Sequence, residues 1–519
     1  MISCDPILTC DAARKFEAGL FGGDEAKEWS AMQQAGRAVA AGLLDDFLEI
    51  GGFSVTGRVL VLVGKGHNGG DALLAAQAVL ERHPAAYVDV LFAFGTRDLR
   101  PLAAQAYRSL AEAAVNRVRA IRTDDVTGEY ELCLDGVFGF QFRPPVGADV
   151  AALLARVNAL SIRLRAAVDL PSAGQFRADF TYATGSVKAP VLTDKNAGRV
   201  RYLDLGFFTG AEEGADRVLT TGILTPLGGL RPPDGDKRSQ GHLLVLGGSR
   251  SYPGAVLMSV LSALHSGVGL VTAFVPESLA PAFAARAPEA MWVGCPETTE
   301  GGVALEALHL VQSRLARANA LVIGPGLGRE PETFALVTDL LKTVRLPVLL
   351  DADALQPELV KAAKAPLLLT PHAGEFARIS GSAASRGRER AGRTAPAPAR
   401  GSTSQILRAY CRKSRAAVVL KGPVTRVSDG ETTYHSLFGG PVLARGGSGD
   451  LLAGLIGGLL AQTPTDPLLA ASRGVVWHGR AADLLARTYG QTAVTTTQLL
   501  DFLPTALRAT SAETTAARS

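Results

Sequence analysis

One repeated alternation constrains the fold more than any other feature. Short apolar runs, most of them bounded by Gly, Pro or Asp, take turns with Ala-rich stretches of helical spacing. In the first half the runs are Val59–Val63, Tyr87–Phe94, Glu131–Leu134 and Ala166–Val168. Asp71–Leu80 and Leu102–Ala114 carry the helical pattern between them. Strand–helix alternation of this kind gives parallel strands with right-handed crossovers. Such sheets bind ligands at the carboxyl ends of their strands. The pattern restarts at His242–Leu246 and continues through Leu270–Val275, Ala320–Ile323, Pro347–Leu350, Pro366–Leu369 and Ala417–Leu420. Between the two series lies TTGILTPLGGLRPPDGDKRSQG, rich in Gly, Pro and small polar residues. It reads as a linker. The chain is therefore expected to form two α/β domains, 1–220 and 241–505, with a linker at 221–240 and a tail at 506–519. Its 519 residues are too many for one ordinary domain.

Charge and cysteine usage narrow the classes of partner. With 53 basic and 49 acidic residues the net charge is +4, too small to argue for nucleic acid. Cys4, Cys10, Cys133, Cys295 and Cys411 are scattered and show no metal spacing. An odd, sparse set suits a reducing cytosol rather than a disulfide framework. MISCDPILTC has no basic start before its apolar residues and does not read as a secretory signal, so a cytoplasmic location is expected. Gly254–Pro276 is uncharged and long enough for a bilayer. His265 and the Gly267/Gly269 pair interrupt it, so it reads as helix, turn and buried strand, and no membrane partner is expected. One segment fits neither domain. SAASRGRERAGRTAPAPARG, 382–401, holds five arginines against one glutamate and no large apolar residue. It is expected to be a disordered insertion without a structural role.

Two constellations carry chemistry. In the first, VLVGKGHNGGDALLAA ends a strand at Gly64, turns through Gly66–Gly70 and opens a helix at Asp71. Glycines let the backbone approach a ligand, and helix-start N–H groups favour phosphate. Two later strand ends add polar groups, Asp135 in LDGVFGFQFRPP and Asp169 with Ser172 in AVDLPSAG. Asn68, Asp135 and Ser172 offer oxygen to a hard cation. Pattern alone leaves open whether Asp135 and Asp169 are ligands or turn caps. The second constellation is LARGGSGDLLAGLIGGLLAQ. Gly446, Gly447 and Gly449 form a loop, and Asp450 opens a long apolar helix. The N–H groups there make an anion hole, and an aspartate beside it can take the proton of a hydroxyl attacking a phosphoryl group. A plain helix cap is the competing role for Asp450.

The first constellation resembles the NAD(P)H-hydrate epimerase domain, a Rossmann-like fold, over about Ala12–Phe208. The resemblance implies a hydrated nicotinamide cofactor as ligand, with potassium beside it. By position it implies substrate contacts from His67, Asn68, Gly69, Gly70 and Asp71, and from Gly139, Phe140, Gln141, Phe142, Arg143, Pro144 and Pro145. Asp169 would bind and act on the substrate, and Asn68, Asp135 and Ser172 would hold potassium. Three departures stand out: His67 for the family's first Asn, Phe140-Gln141 where small residues are usual, and Ala173 for Gly. Two larger side chains in a phosphate loop are expected to crowd it. Lys188, in TGSVKAP, falls where the family commonly has a lysine; a general acid paired with Asp169 is one reading, a snorkelling surface lysine the favoured one.

Motifs of the second half occur in order at strand ends: GGSRSYPGA, GPGLG, DADAL, TPHAGE, KGPVT and GSGD. Together they resemble the ADP- or ATP-dependent NAD(P)H-hydrate dehydratase domain of the ribokinase-like superfamily, over about Lys237–Leu503. The order of the two domains resembles the bifunctional NAD(P)H-hydrate repair enzymes. That resemblance implies Asp450 as the catalytic base and Ala255, Gly326, His372 and Asp450 against the hydrate. Lys421, Gly422, Pro423, Val424, Thr425 and Gly449 would hold the nucleotide, ADP or ATP with magnesium. A homo-oligomer binding small molecules is expected. The competing function is a ribokinase-like kinase for a vitamin precursor, with a non-catalytic nucleotide-binding first half.

Overall fold

The computed structural model describes residues 2–210, 212, 214–381 and 402–516, with side chains as far as 509. The basic segment 382–401 lies outside the described residues. The chain forms two units. One comprises Asp5–Gly214 with Ala486–Ala493, the other Met1–Cys4, Ala215–Leu485 and Val494–Ser519.

Seven parallel strands form the sheet of the first unit. From edge to edge they are Val118–Ile121, Tyr87–Phe92, Arg58–Val63, Tyr130–Gly136, Ile162–Val168, Phe180–Thr184 and Arg199–Leu203. The chain thus winds outward in both directions from Arg58–Val63 and Tyr130–Gly136. Their carboxyl ends make the crevice at which such sheets bind ligands. The helix after the first of these strands is His67–Arg82, four residues ahead of the expected start at Asp71. Asn68, Gly69 and Gly70 therefore lie inside its first turn. Glycine is a poor helix former, yet only glycine fits here. A Cβ at Gly69 would come within 2.6 Å of the Gly64 carbonyl, and on the facing strand one at Gly136 would come within 2.6 Å of Ala72 Cβ and Asn68 O.

The second unit has its own sheet. Met291–Cys295, Leu270–Pro276, His242–Leu246, Ala320–Ile323, Val348–Leu350, Leu367–Leu369 and Ala416–Leu420 run parallel. An antiparallel hairpin, Thr425–Ser428 and Thr433–Ser436, continues it. Asp216–Leu219 then adds in parallel to Thr433–Ser436, so this strand, expected within 1–220, belongs to the second unit. The expected linker is also part of the unit. Thr221–Gly228 is helical and buries Ile223 and Leu224. The helix Leu499–Ala516 runs through the expected start of the tail and buries Ala506. The uncharged stretch resolves into the helix Pro253–His265 and the strand Leu270–Pro276. Among the described residues no helix is long and apolar enough to cross a membrane.

Two candidate active sites

At the crevice of the first unit lies a cavity of about 470 Å³, within the range of small-molecule sites. His67, Asn68, Asp71, Gly139, Phe140, Gln141, Phe142, Arg143 and Asp169 line it, together with Glu17, Lys65, Arg100 and Lys188. Gly69 and Gly70 are buried behind it, and Pro144 and Pro145 are not among its lining residues. Phe140 forms part of its wall. The Phe140 amide donates to Asp169 Oδ2 at 3.3 Å, and its ring stands 4.9 Å from Lys188 Nζ. Lys188 overturns the surface reading: its side chain is 2% exposed and lies 2.7 Å from Asp169 Oδ1. Asp169 itself holds a left-handed backbone (φ 66°), a conformation rare for a non-glycine residue and often found at functional sites. Its amide donates to the Tyr182 carbonyl at 2.8 Å.

The three oxygen-bearing residues form one hydrogen-bonded chain. Ser172 donates from Oγ to Asp135 Oδ1 at 2.6 Å and from its amide to Oδ2 at 2.8 Å. The Phe138 amide donates to Ser172 Oγ at 2.8 Å, and Asn68 Nδ2 donates to the Phe138 carbonyl at 3.0 Å. Asp135 is fully buried, and among the described residues no lysine or arginine pairs with it. Burial pushes it to about 6, against the pull of Ser172 and Val137.

The second unit gathers its motifs at the same end of its sheet. Gly326 follows Ala320–Ile323, and Ala255 stands in the first turn of Pro253–His265. A Cβ on Gly326 would lie 3.1 Å from Ala255 Cβ, so the two are neighbours. His372 caps Ala373–Ser380, its Nδ1 accepting from Gly374 N at 3.0 Å, while Glu375 Oε2 accepts from the His372 amide at 2.8 Å. His372 and Lys421 sit on adjacent parallel positions, bridged by the Lys421 amide to the Pro371 carbonyl at 2.8 Å. Gly422–Val424 then turn the chain into the hairpin that starts at Thr425, whose Oγ1 donates to the Gly422 carbonyl at 3.3 Å.

Lys421 and Asp450 are the charged centre. Lys421 Nζ donates to Asp351 Oδ1 at 2.9 Å, and Thr370 Oγ1 donates to the same oxygen at 2.7 Å. A Cβ on Gly449 would lie 3.2 Å from Lys421 Nζ, which puts the ammonium against the Gly-Ser-Gly-Asp turn. Burial pulls Lys421 down, but Asp351, Glu375 and Asp450 together raise it above the ordinary value. Asp450 is the third residue of Ser448–Gln462, and Gly447 is the cap, so the capping role falls away. Its carboxyl is pushed up to about 7, by burial first and then by Asp351, with Lys421 opposing and Asp353 and Glu375 adding to the rise. A carboxylate poised near neutrality beside a lysine and an anion-binding turn can take a proton while charge builds on a phosphoryl group. Sequence reasoning passed over Glu17, which belongs to no motif, and treated Asp351 as one weak signal among several.

The family model described as NAD(P)H-hydrate dehydratase matches residues 243–505, and that described as YjeF-related protein N-terminus matches 29–189. A bifunctional NAD(P)H-hydrate repair enzyme of Moorella thermoacetica is 33% identical over 480 residues, 87% of either chain. One of Gloeobacter violaceus is 36% identical over 504 residues, 91% of this chain and 92% of the relative. An ADP-dependent (S)-NAD(P)H-hydrate dehydratase of Xanthomonas campestris pv. campestris is 36% identical over 263 residues, 50% of this chain and 86% of the relative.

Proposed function

Since the chain belongs to the family of bifunctional NAD(P)H-hydrate repair enzymes, we propose a division of labour between its two sites. The chain is an epimerase and a nucleotide-dependent dehydratase of hydrated NADH and NADPH. The first unit interconverts the epimers of the hydrate, and the second returns the S epimer to the reduced cofactor. Hydroxide is a poor leaving group from the hydrated ring. Transfer of a phosphoryl group from ADP or ATP to the hydroxyl turns it into phosphate, which departs readily.

In the second unit Asp450 takes the proton of the attacking hydroxyl as the new O–P bond forms. The N–H groups of the turn at Gly449 and the Lys421 ammonium steady the transferring phosphoryl. Asp351 fixes Lys421 in that place. Gly422, Pro423, Val424 and Thr425 embrace the nucleotide, and Ala255, Gly326 and His372 border the hydrate. Among the described residues no three His, Cys, Asp or Glu side chains form a metal cage. Magnesium suits such a site as a companion of the nucleotide phosphates, bound by one or two carboxylates. The observation that carries the reading is the placement of Asp450 in the first turn of an apolar helix, with Lys421 Nζ held by Asp351 against the same turn.

In the first unit Asn68, Asp135 and Ser172 would hold potassium. The fit rests on Asp135, a buried carboxylate without a basic partner among the described residues, in an all-oxygen setting. A monovalent cation there supplies the positive charge that the carboxylate lacks. Asp169 and Lys188 act on the hydrate in the cavity, with Phe142 and Arg143 along its wall.

The test is incubation of the purified full chain with mixed hydrate epimers, with and without ADP or ATP. Recovery of both epimers as reduced cofactor with nucleotide, and interconversion without it, is the expected result. A stable phosphate ester as the product would replace the dehydratase by a kinase.

A further inference from the structure

The cavity of the first unit holds more acid than its ion pair explains. Lys188 Nζ lies 2.7 Å from Asp169 Oδ1 and 3.9 Å from Glu17 Oε1. Asp71 stands in the same wall, with Oδ1 out of solvent and without a hydrogen-bond partner. Glu28, on the helix after that of Glu17, stands outside the lining, with its carboxylate 3.4 Å from His67 Nε2. Of the other cations in the wall, Lys65 pairs with Asp98, Arg143 pairs with Asp11 and Arg100 is exposed, so among the described residues Lys188 is the one buried ammonium facing Glu17, Asp71 and Asp169, and it cannot balance all three. Like charges in a half-buried site keep a proton among them at neutral pH. The cavity therefore offers a protonated carboxyl and an ion-paired carboxylate side by side. Environments that split two carboxyl groups in this way mark acid and base roles.

We propose that Glu17 is the second proton-transfer residue of this site, working beside Asp169. This inference rests on the epimerase reading of the first unit. Water adds to a dihydronicotinamide at the carbon next to the ring nitrogen, and the route to the other epimer taken here breaks and remakes that C–O bond. The Glu17 carboxyl gives its proton to the hydroxyl. The C–O bond breaks, its electron pair leaves with water, and the nitrogen lone pair closes a C=N bond. Water then re-adds to the other face of the same carbon, the lone pair returns to nitrogen, and the surplus proton goes back to the Glu17 carboxylate. Nothing is oxidised and nothing consumed. The Asp169 carboxylate supplies negative charge opposite the transient cation. Glu17 is suited to both halves of the exchange. Burial pushes its carboxyl to about 7, with Lys188 opposing and Asp169 and Glu28 adding to the rise. The remaining neighbour, Asp71, is pushed well above the ordinary carboxylate range by burial, then by Asp169 and Glu17.

The experiment compares the full-length wild type with Glu17→Gln and Glu17→Asp. Epimer interconversion is followed by chromatography without nucleotide, and S-epimer dehydration with ADP serves as the folding control. For Glu17→Gln the epimerase kcat is expected to fall by about 100-fold or more, the usual scale of general acid–base catalysis. KM should stay within about threefold, since a group acting in the transition state leaves ground-state binding nearly alone. The inflection near pH 7 in the wild-type rate should vanish, Glu17→Asp should recover part of the rate, and dehydration should be unchanged. A Glu17→Gln enzyme with kcat within about threefold of wild type, or with only KM raised, would overturn the role. A wild type that leaves the epimers unconverted would overturn the epimerase reading and this role with it.

Discussion

Asp450→Asn separates the base from everything else at the second site. The variant keeps the size of the side chain, and the helix start loses nothing, because Gly447 is its cap. It removes the proton acceptor. General-base catalysis contributes ~10²–10⁴-fold, or about 2.7–5.4 kcal/mol at about 1.36 kcal/mol per decade. Dehydration of the S epimer should fall by at least about 100-fold, with nucleotide affinity within about threefold and epimerisation untouched. The pH profile carries the same information. With a carboxyl near 7, the wild-type rate at pH 6 should be about a tenth of its plateau, because about a tenth of the base is ionised there. The residual rate of the variant should not show that limb. Stability should move the other way. The carboxyl titrates near 4 in the unfolded chain and near 7 in the folded one. Between those values the unfolded state binds fewer protons, so the stability contribution present below about pH 4 is lost as pH rises through about 7. Asparagine escapes that loss. The gap between about 4 and about 7 sets a ceiling of about 4 kcal/mol, which solvent screening reduces to about 1–2 kcal/mol. For a unit of this size that is a rise in Tm of roughly 2–6 °C at pH 8, shrinking toward pH 5. Calorimetry and a coupled absorbance assay at the reduced-nicotinamide band measure both. A variant that keeps most of its dehydratase rate, or that melts lower at pH 8, would refute the reasoning.

Three further perturbations address the rest of the molecule. Gly454→Ala should cost the second unit about 1–3 kcal/mol, because a Cβ there would overlap the Ser259 carbonyl where Ser448–Gln462 crosses Pro253–His265; an unchanged melting curve would show that the helices separate freely. Restoring small residues, Phe140→Thr with Gln141→Gly, should speed epimerisation and sharpen its dependence on potassium, measured in potassium and in sodium buffers; a wild type that epimerises as fast as it dehydrates would remove the motive. Replacing 382–401 by a short Gly/Ser bridge should leave dehydration within about threefold, since loop length costs little; loss of soluble protein or of turnover would give the segment a role.

Ten strands were legible because buried parallel strands are written as apolar runs with a turn residue at each end. Two of those that were not share a cause. Phe180–Thr184 and Arg199–Leu203 are interrupted by Thr181 and by Arg199 and Arg201. Arg201 and Tyr182 are paid for by Asp46, reached at 2.8 and 3.1 Å from a helix far away in sequence. Composition within a strand gives no sign of such a partner. The helix start at His67 was misread for a related reason. Local preference puts Asn-Gly-Gly in a turn, and it takes the close approach of Gly136 to move those residues into the helix.

The sites divide along the same line. Thr-Pro-His-Ala-Gly-Glu and Lys-Gly-Pro-Val-Thr follow their strands directly, so strand order alone brings His372 and Lys421 to one end of a sheet, whereas Asp450 arrives only after the turn Pro441–Leu443. Lys188 reaches the first site differently. Leu8 pairs with Lys188 in parallel, which carries the helix Cys10–Phe21, and Glu17 with it, to the cavity wall. A lysine is worth a general acid only when something keeps water from it and something negative faces it, and neither condition is local. The same holds for Asp450, whose rise toward neutrality depends on its burial and then on Asp351, Asp353 and Glu375 arriving from two other strand ends. Chain order therefore determines which groups can meet, while their protonation depends first on burial and then on how many carboxylates share each buried lysine. At both sites that ratio exceeds one, and a surplus carboxyl near pH 7 is available for proton transfer.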